Sequence, residues 1–168
     1  MILTITDWAG VQVSLEPKVE LCSVRDFMGK KLPGLAIVLN EVGNTPDKVE
    51  EYTVLTMFLG DFLSPKNGAY IDTNNCYFAD QLLQQGIAEE TGFSRHSGFC
   101  QHPLWRFKEE FLKKIGGENH QEYLRHYDEY STTNRGGDGR HRTPCCTDTA
   151  LCALLSGGIA LYKNRELV

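Results

Sequence analysis

The sequence has no CxxC pair, no HExxH and no GxSxG. Those absences leave out zinc ribbons, thioredoxin-type redox sites, zincin proteases and the serine elbow of α/β-hydrolases. The glycines of "RGGDG" form neither a phosphate loop nor a dinucleotide fingerprint, because the spacing, the lysine and the strand–helix context are missing. No apolar run reaches the length of a membrane helix, and no internal repeat occurs. The opening "MILTITDWAG" has neither a basic n-region nor an apolar h-region, so no secretory leader is expected. A cytoplasmic location is the resulting expectation, with the six cysteines as reduced thiols.

What remains is a globular composition. Of 168 residues, 41% are apolar and 23% charged, enough for one domain with a real core. The net charge of −5 is uneven. Residues 131–168 hold five Lys+Arg and three Asp+Glu, a net of +2. Residues 1–130 hold twelve basic and nineteen acidic groups, a net of −7. Such a body is repelled by phosphate, which argues against direct nucleic-acid contact. It suits a basic protein surface, such as another protein's nucleic-acid groove.

Hydrophobic alternation predicts strands at 2–6, 11–15 and 19–24. "GLAIVLN" at 34–40 and "EYTVLTMFL" at 51–59 are apolar on both faces, as covered strands are. Asn67-Gly68 turns the chain so that 69–72 returns as a hairpin partner. Phe78, Ala79, Leu82 and Leu83 then share a helical face, with possible N-caps from Asp72 to Asn75. Gly86 takes the left-handed position after that helix. Residues 97–107 read as extended, with Pro103 confining them to an edge or a bulge. Two helices follow, "FKEEFLKKIGG" with Glu109–Lys113 and Glu110–Lys114 pairs, and 119–130, where Asn119 and Glu122 resemble a capping box.

The fold expected is α+β: an antiparallel sheet of five to seven strands, with two or three helices packed on one face after residue 75. Residues 1–130 form that domain; 131–144 read as a glycine-rich linker and 147–164 as an apolar extension.

Three groups of residues carry possible chemistry. Cys76, His96, Cys100 and His102 have the residue types of a tetrahedral zinc site, at a spacing unlike any standard finger. Alternatively Cys100 is a nucleophile with His102 or His96 as base and Asp72 as orienter, which requires a cation or helix N-terminus to lower the thiol pKa. In the plainer reading Cys100 is core and both histidines lie near the surface. "YIDTNN" offers Asp72 and Asn74 to a cation but lacks the spacing of a calcium loop, so a helix cap is preferred. Finally, Tyr123, Tyr127 and Tyr130 form a helical stripe beside Asp128 and Glu129. This is either a recognition face or an inward-facing stripe whose hydroxyls reach the edge.

The order "YTVLTMFLG … AYIDTNNC … LLQQGIAEETG … SGFCQHPLWRF" resembles an uncharacterised family of small proteins from phages and conjugative elements of gut bacteria. The resemblance covers about residues 50–115. It rests on Asp72, Asn74, Asn75, Gly86-Ile87, Thr91-Gly92 and Ser97-Gly98-Phe99, and it brings no catalytic residues with it. It implies a mobile-element accessory protein. The function expected is therefore a non-catalytic acidic binder, with no cofactor and no membrane attachment. Such a binder would inhibit a host defence nuclease, of anti-CRISPR or anti-restriction type, by contact with its basic groove. Cas9 is one candidate partner. The alternative expectation is a small Cys/His enzyme or zinc-binding protein built on the 76–102 region.

Overall fold

Two aspartates close two hairpins by the same means. In "DWAG" the Asp7 carboxylate accepts the N–H groups of Ala9 and Val11, and in "DFMG" that of Asp26 accepts those of Met28 and Lys30. Gly10 and Gly29 take the positive φ that each turn then needs. These turns join β1 (Leu3–Thr6), β2 (Gln12–Arg25) and β3 (Lys31–Val42), and β4 (Val49–Val54) completes an antiparallel sheet of order β1-β2-β3-β4. The remaining elements are β5 (Thr56–Met57), β6 (Gly68–Ile71), α1 (Ala79–Gln84), β7 (Ala88–Ser97), β8 (Cys100–Phe107) and α2 (Glu109–Thr133). A second antiparallel sheet has the order β5-β6-β8-β7. This computed structural model describes residues 1–26, 28–43, 49–60 and 63–133. Of the linker expected at 131–144, residues 131–133 belong to α2, and the rest of it and the apolar extension lie outside the described residues.

The α+β class is as expected, but the sheet is not a single one of five to seven strands. Among the described residues eight strands form two sheets of four, joined at Leu55. The Leu55 N–H donates to Ile37 O at 2.8 Å in the first sheet, and Leu55 O accepts from Asp72 N at 3.0 Å beside the second. Both sheets feed one core, which includes Leu3, Leu15, Ile37, Leu55, Ile71 and Trp105. The segment 34–40 is the covered strand its composition suggested. Residues Gly34 to Leu39 are all buried, and Phe58 lies over Gly34.

Proline placement follows the sheet edges. Pro17 lies past the stretch of β2 paired with β1, Pro33 past the stretch of β3 paired with β4, and Pro103 past the stretch of β8 paired with β6. Each missing N–H therefore falls where the ladder has only one neighbour. The expected strands 11–15 and 19–24 are parts of one long strand, β2, which keeps its register with β3 through Pro17.

The helices are arranged differently from the expectation. α2 packs on β2 and β3, as a helix covering a sheet should. It joins the two predicted helices across a kink at Gly117, whose φ of 48° only glycine adopts freely. Asn119 does not serve as an N-cap; its amide donates to Val19 O on β2 at 2.9 Å. α1 starts at Ala79 with no side-chain cap, because Asp72 to Asn75 build a turn of their own. It lies along the outer edge of β1 rather than on a sheet face. Gly86 takes the predicted positive φ. No helix among the described residues is long and apolar enough to cross a membrane.

Candidate functional site

The structure separates the predicted Cys/His set. Cys76 is buried, with Sγ 3.6 Å from Val54 O and 4.0 Å from Thr53 Oγ1. Burial pushes its thiol up to about 12, against the opposing hydrogen bond from Thr53, so it stays protonated at neutral pH. His102 is also buried, contrary to the surface position expected, and its Nδ1 sits 3.0 Å from Ile71 O. His96 stands exposed opposite Gln101, and Cys100 is half-buried opposite Ser97 rather than in the core. Among the described residues no three His, Cys, Asp or Glu side chains are grouped to hold a metal ion. Asp72, the proposed orienter and cation ligand, bonds instead to the Asn75 amide at 2.7 Å. Thr73 Oγ1 ties the same turn to Gln101 O at 2.9 Å. The residues from 72 to 75 thus fix a turn.

Within the tyrosine stripe Tyr123 is buried, while Tyr127 and Tyr130 are half-buried. Tyr123 is only 2% exposed, and its hydroxyl accepts the Asn67 N–H at 3.1 Å. The Tyr127 hydroxyl donates to Ser64 O at 3.1 Å, and that of Tyr130 to Asp26 Oδ2 at 3.2 Å. Asp128 pairs with Lys66 at 2.9 Å, and that ammonium lies over the Tyr127 ring. Of the five residues expected at an interface, Tyr123 is therefore removed to the core. Glu129 and Tyr130 line a groove of about 720 Å³ between α2 and the β2–β3 hairpin, facing Leu21, Cys22 and Lys31.

An aromatic cluster that the sequence reading did not single out lies at the opposite end of β2. Trp8, at the β1–β2 tip, is 87% exposed, and its backbone N–H donates to the Tyr77 hydroxyl at 3.0 Å. Tyr77 is itself half-exposed and meets the Phe78 ring edge-on at 5.3 Å. Tyr52 packs on the same Phe78 at 5.8 Å, so that ring joins the two tyrosines. A β-bulge presents Tyr52: Leu39 opposes Thr53 while Asn40 opposes Glu51, leaving Tyr52 as the extra residue.

The charges that act on Tyr52 are carboxylates. Its hydroxyl is pushed up to about 12, first by burial, then by Tyr77 and the carboxylates of Asp7 and Glu41. The register after the bulge sets Glu41 directly opposite Glu50, both exposed. Like charges facing each other across strands destabilise a sheet. Exposed Val11 and Val42 flank the cluster in the chain. The arrangement offers aromatic faces and carboxylates to a cation, a pairing that suits arginine or lysine side chains. The only sequence signals were "DWAG" as a tip with an apolar residue in it and the run Val49-Glu50-Glu51-Tyr52. Neither sequence alone places Trp8 beside Tyr77. No protein-family model, no curated protein and no solved structure matches the chain.

Proposed function

We propose that this protein is a non-catalytic binding domain that docks on a basic surface of a nucleic-acid-binding protein. The observation that carries the reading is the facing of Glu41 and Glu50, both exposed, at an aromatic end of an acidic body. A like-charge pair that weakens the sheet is relieved when a partner brings positive charge to it. The sequence resemblance to mobile-element proteins adds the class of partner: a host defence nuclease such as Cas9 or a restriction enzyme, whose nucleic-acid groove is basic. Occupying that groove would block its substrate without any reaction by this chain. The test is co-purification and inhibition against a panel of restriction and CRISPR nucleases, repeated at low and high salt. Salt-sensitive inhibition of one member supports the reading. A panel in which no nuclease is bound or inhibited removes its partner class.

A further inference from the structure

The aromatic end and its position among the turns define a docking surface more closely than net charge does. Three hairpin tips each expose a large apolar side chain: Trp8, Met28 and Phe99. Such residues at tips do not build the core, and isolated exposed apolar residues are ordinary. Trp8 is not isolated. Its backbone is bonded to Tyr77, Tyr77 and Tyr52 both pack on Phe78, and the carboxylates of Asp7 and Glu41 act on Tyr52. The turn carrying Tyr77 is in turn fastened through Thr73 to the β7–β8 hairpin, whose tip is Phe99.

We infer that the end formed by Trp8, Tyr77 and Tyr52 receives an arginine- or lysine-bearing segment of a protein partner, its cationic group over the rings and facing Glu41 and Glu50. This rests on the binding reading above and adds where the partner sits and which side chains hold it. Charge complementarity selects the occupant. Carboxylates beside the rings disfavour a nucleic acid, whose phosphates they repel, and favour a guanidinium or ammonium, which a ring face also attracts. The anchoring is rigid. Asp7 fixes the Trp8 turn with two N–H bonds, and the Tyr77 hydroxyl holds its backbone, so little order has to be gained on binding.

Trp8 itself supplies the readout. The chain has two tryptophans, and Trp105 is buried, so change in the exposed fluorophore reports on Trp8. Octa-arginine is titrated into the full chain at low salt, followed by tryptophan fluorescence and by calorimetry. The expected result is a shifted, quenched Trp8 signal. In calorimetry Trp8→Ala weakens binding about fivefold, the size of an exposed cation–π contact. The Glu41→Gln/Glu50→Gln double variant weakens it similarly, and Glu110→Gln/Glu118→Gln on α2 leaves it unchanged. Trp8→Ala keeps its fold because only its backbone is bonded, which circular dichroism checks. Binding that is equal in all three variants overturns the docking surface while leaving the acidic-binder reading in place. Unaltered Trp8 fluorescence on saturation also overturns it, and the nuclease panel then decides the wider reading separately.

Discussion

Gln81 and Thr6 exchange two hydrogen bonds across 75 residues of chain. Gln81 Oε1 accepts the Thr6 N–H at 2.7 Å, and Gln81 Nε2 donates to Thr6 O at 2.9 Å. One helical turn later Gln85 repeats the pattern with Thr4, at 3.2 and 2.7 Å. Two side-chain amides therefore stand in for the backbone of a missing neighbouring strand, and α1 closes the edge of β1. An open edge is a template for pairing with other chains.

Replacing both glutamines, Gln81→Ala/Gln85→Ala, frees that edge. Each replacement is expected to cost about 1 kcal/mol, the usual net worth of such bonds. The urea midpoint should fall, and light scattering should detect concentration-dependent association. A double variant with the parent's stability and unchanged scattering would mean that the amides contribute nothing to either property.

Gly34 has no room for a side chain. A Cβ there would run into the Phe58 ring. Gly34→Ala should lower stability by about 1–3 kcal/mol, as overpacking does. Phe58→Ala should restore part of the loss in the double variant, a coupling that a mutant cycle in urea measures. Additive losses would contradict the contact.

His120 is 2% exposed, and among the described residues its buried Nε2 has no hydrogen-bond partner. It stacks on Tyr123 and lies against Gly116. Burial lowers its pKa from 6.5, opposing the attraction of Glu109, while Lys113 and Lys66 add to the lowering. The unfolded chain therefore takes up this proton at higher pH than the folded one. The contribution is complete above 6.5 and is lost as pH falls through the lower folded value. Urea midpoints at pH 7.5 and 5.5 should differ in the parent, and the gap should narrow in His120→Leu.

Cys76 should resist alkylation. Its thiol is buried and held near 12, so iodoacetamide at pH 8 should label it only after denaturation. Peptide mapping of the native protein would locate the label. Rapid native labelling at Cys76, ahead of half-buried Cys100, would return this residue to consideration as a nucleophile.

Much of the fold was legible because its cues are local. Alternation marked the strands, Asn67-Gly68 marked a hairpin, and Gly86 marked a helix end, since each depends on backbone preferences within a few residues. β7 was missed because "AEETGFSRHS" is polar and mostly exposed, with a bulge between Glu90 and Ser94, so no apolar alternation records it. The glutamine edge was equally invisible, because amides at helical spacing usually face water.

By itself the sequence determined the α+β class, the covered middle strand, the inward option for the tyrosines and an acidic body. Those follow from composition and from periods of two and 3.6 residues. Only the tertiary structure decided that Cys76, His96, Cys100 and His102 stay apart and that Trp8, Tyr52 and Tyr77 come together. Both outcomes depend on strand register and on one bulge. A shift of one residue changes which side chains meet while leaving the local pattern intact.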